Sequence, residues 1–191
     1  MGKKLPVYKL VINDTEESGV DMVSFVNAPA IEEEFMVFEK DEPFKFATDE
    51  KRRIVTGAMM IANKPIYRNT DGEEFMVMFD KDTIEKIAQK FFKQGNSNNV
   101  NVMHETQVGG VYMFESFITD KERGIQAPKN YSKVSDGSWF ASYKVDNEDV
   151  WKSVEDGTFK GFSVEGMFNR VPLKMSKTKV EIEVEQLFKD L

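Results

Sequence analysis

Short apolar runs separated by turn residues recur along this chain and limit the folds that it can adopt. Runs of this kind, bounded by Gly, Pro, Asn or Asp, predict about nine strands. They lie at residues 7–13, 22–26, 54–61, 74–79, 100–104, 110–118, 138–145, 160–171 and 180–184. The strands do not alternate with helices as βαβ units do. We therefore predict an α+β fold, mainly an antiparallel β-barrel or sheet with a few peripheral helices.

Two segments break the strand pattern and predict helices. The first has apolar residues at i, i+3, i+4, i+7 and i+8, namely Ile84, Ile87, Ala88, Phe91 and Phe92. This spacing gives one apolar stripe on a helix. Asp82 and Glu85 resemble a capping box before it, and Gly95 stands where it should end. For the second helix, Asn147 is the expected N-cap and Gly157 the expected exit.

Length and composition point to one globular domain. The chain has 191 residues, of which 40% are hydrophobic, enough for a real core. Residues 1–50 hold N-terminal strands and an acidic connection at 32–50, which we expect to pack on the domain formed by residues 51–191.

The net charge is −7 without a basic stripe, so direct nucleic-acid binding is not expected. No apolar stretch approaches the ~20 residues of a membrane span.

The residues that could carry chemistry are few. Cysteine is absent and His104 is the only histidine, so any imidazole-based mechanism must use His104. Ser163 lies between apolar Phe162 and Val164, and on a strand its side chain would face away from theirs. That position suits an exposed nucleophile, but it equally suits an ordinary hydroxyl beside a bend. Local spacing alone does not choose between the two interpretations. No cofactor motif or metal-binding pattern is present, and we expect neither group.

A set of ordered motifs gives the chain a family resemblance. The motifs are VSFVNAPA (23–30), RIVTG (53–57), NKPIYR (63–68), VMHE (102–105), VYMFES (111–116), SWF (138–140), VW (150–151) and GTFKGFSVEG (157–166). In order and spacing they resemble the prohead proteases of tailed phages, in the branch found in defective Bacillus prophages. The resemblance covers well over half of the chain. It also implies distant kinship with herpesvirus assemblin, whose fold is a small β-barrel wrapped by helices.

The resemblance implies that His104 takes the proton of Ser163, which then attacks a peptide carbonyl. Assemblin uses a second histidine as its third catalytic residue, and this chain has none. A carboxylate must replace it, or the site works as a dyad. Glu115 could pair with His104 across a hairpin, and it is our first candidate. Glu165 shares a strand face with Ser163, but i and i+2 side chains stand ~7 Å apart.

Three further candidates lie on a later predicted strand: Glu181, Glu183 and Glu185. This strand corresponds roughly to the one that supplies the third catalytic residue of assemblin. Each carboxylate is also consistent with a solvated strand position. The oxyanion should be stabilised by backbone N–H groups, with Arg170 as a weaker candidate. The third catalytic residue is therefore left open by the sequence.

The resemblance also implies the substrates and the location of the protein. The expected substrates are phage scaffold and major capsid proteins, cleaved inside the procapsid in the host cytoplasm. No membrane partner is expected, and a homo-oligomer is compatible with the sequence. Two alternatives stay open: a catalytically inactive phage structural or scaffold protein that retains the protease fold, and a small binding module on a β-barrel. Retention of both His104 and Ser163 favours the enzyme.

Overall fold

A computed structural model describes residues 5–13, 17–27 and 45–173. The strands are β1 (Val7–Val11), β2 (Gly19–Val26), β3 (Ala47–Asp49), β4 (Ile54–Met60), β5 (Ile66–Thr70), β6 (Glu73–Met78), β7 (Val100–Val102), β8 (Thr106–Gln107), β9 (Val111–Ile118), β10 (Trp139–Val145), β11 (Gly161–Met167) and β12 (Asn169–Pro172). The α-helices are α1 (Lys81–Lys93) and α2 (Glu148–Glu155), and short 3-10 helices cover Asn96–Asn98 and Lys129–Tyr131.

The described strands form three four-stranded sheets. Their orders are β12-β1-β6-β5, β3-β4-β10-β9 and β11-β2-β7-β8. The α+β class is confirmed for the described part of the chain, but the barrel alternative is wrong there, because the three sheets do not close on one another. Closure requires every edge strand to find a partner. One sheet instead ends on the two-residue strand β8.

Most of the pairing is antiparallel, as predicted, with two exceptions among the described strands. β1 runs parallel to β6, and β2 runs parallel to β7. Parallel neighbours need long connections, and both pairs join an N-terminal strand to one far along the chain. β1 also pairs with β12, and β2 with β11. The two N-terminal strands therefore lie inside sheets built with later strands.

The two helices begin and end at residues that satisfy their free backbone groups. In α1 the N-cap is Asp80, whose carboxylate accepts from the Thr83 amide at 2.9 Å. The capping box predicted at Asp82 and Glu85 is therefore wrong by two residues. Gly95, with φ 77°, follows the end of α1 as predicted. Asn147 caps α2, as predicted, by accepting from the amides of Asp149 and Val150.

The main hydrophobic core lies between the sheets and the two helices. The apolar stripe of α1 supplies Ile84, Ile87 and Phe91, all fully buried. Trp139 on β10 is also fully buried, and its ring contacts that of Phe91 with centroids 5.4 Å apart. Two predicted elements lie outside the described residues, the strand at 180–184 and most of the acidic connection at 32–50. No helix of the described ranges is long and apolar enough to cross a membrane.

A glycine substitution tests the close approach of β2 and β11. A Cβ at Gly166 would overlap the carbonyl oxygen of Gly19 on the neighbouring strand. We expect Gly166→Ala to lower the free energy of unfolding by about 2 kcal/mol or more, as overpacking does. Chemical denaturation would measure the change. Gly109→Ala is the matched control, because a Cβ there meets nothing within 4 Å. Equal stability of the two variants would contradict the described approach.

Candidate active site

Three buried polar side chains form one row across the sheet β11-β2-β7-β8. Ser163 on β11 pairs with Ser24 on β2, and Ser24 pairs with Asn101 on β7. Directly opposite residues project on the same face of a sheet. The exposed fractions are 5% for Ser163, 0% for Ser24 and 5% for Asn101. Buried polar groups are costly unless they find partners. Hydrophobic packing therefore does not explain why three polar side chains lie in one row on this face.

The opposite face of the same two strands is aromatic. Phe162 precedes Ser163, and Phe25 follows Ser24. Their rings lie 5.1 Å apart between centroids, and both contact the Tyr143 ring at 4.9 and 5.6 Å. Burial raises the pKa of Tyr143 well above its usual value, so its phenol stays neutral. Ser163 lies on the face of β11 opposite Phe162, as predicted, but that face is not open to solvent at this position, because Ser163 itself is buried.

His104 reaches the polar face through a strained turn. The strand β7 ends at Val102, and both Met103 and His104 have left-handed backbone, with φ of 54° and 61°. This conformation is uncommon for residues other than glycine. Two hydrogen bonds to β2 hold the turn: the Met103 amide donates to the Phe25 carbonyl at 3.0 Å, and the His104 amide donates to Ser24 Oγ at 2.9 Å. The backbone of His104 is thus fixed to the residue that faces Ser163.

The His104 ring is oriented by Glu165. Its Nδ1 lies 3.0 Å from Glu165 Oε1. The amide nitrogen Nδ2 of Asn101 donates to the same oxygen at 2.6 Å. The side chains of His104 and Glu165 are partly exposed, at 42% and 34%. A ring that donates from Nδ1 keeps its lone pair on Nε2, which is the arrangement that a general base for serine needs.

The sequence analysis disfavoured Glu165 as the third catalytic residue because its side chain stands away from that of Ser163. The third residue must contact His104, however, and not Ser163. Side chains at i and i+2 on a strand stand ~7 Å apart, which leaves room for an imidazole between them. His104 comes from a different strand, so it can contact Glu165 while facing the row that contains Ser163. A β-bulge follows directly, since the pairing of β11 with β2 shifts between Glu165 and Gly166. Bulges re-aim neighbouring side chains.

Ser163 and His104 are the predicted nucleophile and general base. Within the described ranges, no hydrogen bond joins Ser163 Oγ to the His104 ring. Such bonds are often long in unliganded sites and tighten when the substrate binds. The structure does bring the two residues to one sheet face. Their assignment as nucleophile and base stays a prediction.

The structure places the other predicted residues elsewhere. Glu115 lies on β9, which pairs with β10 and not with the strand before His104, so the hairpin contact expected for it is wrong. Its carboxylate accepts from Ser142 Oγ at 2.6 Å. The guanidinium carbon of Arg170 lies 4.7 Å from the Phe75 ring centroid, in the sheet of β12. The three candidates Glu181, Glu183 and Glu185 lie outside the described residues.

Two residues of the site were not found from the sequence. Ser24 and Asn101 are isolated polar positions inside apolar runs, flanked by Val23 and Phe25 and by Val100 and Val102. That pattern was the available signal, since a polar residue on a buried strand requires an explanation. Their contacts with His104 and Glu165 depend on the parallel pairing of β2 with β7, which local sequence does not reveal. Within the described ranges, the site included, no group of three His, Asp or Glu side chains could hold a metal ion.

A carboxylate, an imidazole and a serine on one face are the groups that a serine protease requires. Residues 43–171 match the model of a family described as "Putative phage serine protease XkdF". This match spans more than half of the chain and includes Asn101, His104, Ser163 and Glu165. The chain therefore belongs to this family of phage serine proteases, and the resemblance derived from the motifs is confirmed. The comparisons with curated proteins and with solved structures found no match.

The hydrogen bond from His104 to Ser24 gives a stability prediction. Ser24→Ala removes the acceptor of the His104 amide, and we expect a loss of about 1–3 kcal/mol in the free energy of unfolding. Thermal unfolding should show a fall of roughly 2–4 °C for each kcal/mol lost. Ser153→Ala serves as the control, because its hydroxyl bonds only to the Asp149 carbonyl one helical turn back. If both variants unfold at the same temperature, the Ser24 contact contributes nothing to stability.

Proposed function

We propose that the protein is the endopeptidase that matures phage proheads by cleaving scaffold and major capsid proteins inside the procapsid. Ser163 is the nucleophile, His104 the general base and Glu165 the residue that orients the imidazole. The observation that carries the proposal is the 3.0 Å contact between His104 Nδ1 and Glu165 Oε1. It supports a ring whose Nε2 is free to accept a proton on the face that holds Ser163.

The chemistry proceeds in two halves. His104 Nε2 takes the proton of Ser163 Oγ as the oxygen attacks the scissile carbonyl, and Glu165 stabilises the imidazolium that forms. Backbone N–H groups stabilise the oxyanion. The imidazolium then protonates the leaving amine, which departs and leaves an acyl group on Ser163. Water attacks this ester with His104 again as base, so the acid product leaves and the enzyme is restored.

The third residue separates this site from that of assemblin, to which the family resemblance extends. A second histidine is impossible in this chain, since His104 is the only one. Glu165 is favoured over Glu115 because it contacts the ring, whereas Glu115 is bonded to Ser142 in another sheet. We infer a Ser-His-Glu arrangement in place of the Ser-His-His arrangement of assemblin.

Cleavage assays test the nucleophile and the base. Purified protein is incubated with the scaffold and capsid proteins of its phage, beside Ser163→Ala and His104→Ala. Each variant should lose activity by roughly 10⁴-fold or more, and a fluorophosphonate probe should add its mass to the wild-type peptide containing Ser163 only. Cleavage that persists in both variants would contradict the assignment. Absence of cleavage by the wild-type protein as well would instead favour the inactive structural protein that retains the fold.

The choice of carboxylate has its own test. Glu165→Gln keeps the size of the side chain but removes its charge, so we expect kcat/KM to fall by about 10²–10⁴. Glu115→Gln is the matched control on the other sheet and should cleave at the wild-type rate. Both variants are compared on one scaffold substrate at several concentrations. Loss of activity in Glu115→Gln with normal Glu165→Gln would reverse the assignment.

A further inference from the structure

Asn101 is a residue whose presence the packing of the sheet does not explain. Its side chain is 5% exposed on a strand where Val100 is fully buried. Asn101 Nδ2 donates to Glu165 Oε1 at 2.6 Å and lies 2.9 Å from Met22 Sδ. Its Oδ1 is buried and has no hydrogen-bond partner among the described residues. A buried unpartnered oxygen is unfavourable, and an apolar side chain of similar shape would avoid it.

The direction of the Asn101 amide follows from its neighbour. An amide oxygen turned toward the Glu165 carboxylate would place two acceptors against each other, so the NH₂ group must face Glu165. The same oxygen of Glu165 also contacts His104 Nδ1. Asn101 is therefore the buried end of a chain of contacts that runs through Glu165 to the imidazole.

Glu165 needs such support because of where it lies. Its side chain is 34% exposed, and a long carboxylate side chain at that exposure loses conformational freedom when it is held in one position. Asn101 lies on β7 and Glu165 on β11, and the strand β2 lies between them. The hydrogen bond from Asn101 to Glu165 therefore spans β2. Groups that fix the orientation of a catalytic side chain in this way act on positioning and not on the reacting atoms.

We propose that Asn101 is a positioning residue, whose amide holds Glu165 so that His104 keeps its proton on Nδ1 and presents the Nε2 lone pair to Ser163. This inference rests on the proposed protease function for its catalytic consequence. The tautomer of the His104 ring can nevertheless be measured without any substrate. Of the two neutral tautomers, only the one with the proton on Nδ1 can act as base toward a serine on this face.

The single histidine makes the experiment direct. Uniformly ¹⁵N-labelled protein gives one set of imidazole nitrogen signals, and a long-range ¹H–¹⁵N spectrum of the neutral ring reports which nitrogen carries the proton. The variants are Asn101→Leu and Asn101→Ala, both without the donor and without charge. Thr119→Val is the control, because Thr119 is also 5% exposed but lies outside the sheet of Ser163.

In wild type and Thr119→Val the Nδ1–H tautomer should predominate. In both Asn101 variants the signals should move toward the Nε2–H tautomer. In the same variants kcat on the scaffold substrate should fall by about 10- to 100-fold, with KM little changed. Asn101→Leu should keep or exceed the wild-type melting temperature, which separates positioning from folding. Should the leucine variant fail to fold, the alanine variant gives the same readout.

An unchanged tautomer in the folded Asn101 variants overturns the proposal, whatever their activity. A shifted tautomer with wild-type kcat overturns it as well, because the positioning would then have no catalytic effect. Failure of the protease assignment looks different. It appears as cleavage by Ser163→Ala, and it leaves the tautomer measurement intact.

Discussion

The antiparallel pairing of β2 with β11 is the interaction on which the rest of the site depends. It joins the strand of Ser24 to the strand of Ser163, and its inner face is sealed by the rings of Phe25, Phe162 and Tyr143. Because alternate residues of a strand face opposite sides, burial of these aromatic residues directs both serines to the other face. Packing in the core thus determines which side chains are available for chemistry.

The same pairing explains why the N-terminal strand β2 matters to a site whose other residues come later. The family match begins at residue 43, yet β2 spans Gly19–Val26 and lies between β11 and β7 in the sheet. Ser24 Oγ accepts a hydrogen bond from the His104 amide, so the position of His104 depends on a residue that precedes the matched range. A fragment that begins at the family boundary would lack the strand that holds the histidine in place.

Local patterns predicted the elements, whereas the site required contacts between distant strands. The apolar stripe of α1, the cap at Asn147 and the direction of Ser163, away from Phe162, all follow from neighbours a few residues away. Glu165 could be listed from sequence but not chosen, because its distance to His104 depends on the turn after β7 and on the bulge beside Gly166. The hairpin contact expected between Glu115 and His104 was wrong for the same reason, since the strand of Glu115 pairs with β10. Non-local pairing is the information that a single sequence does not display.

The turn that carries His104 is held in an unfavourable backbone conformation by the neighbouring strand β2. Left-handed backbone at two consecutive residues other than glycine is unfavourable, and it persists because β2 accepts both amides through Phe25 and Ser24. The strand β2, which carries Phe25 of the aromatic layer, therefore also holds the backbone of His104 through these two hydrogen bonds.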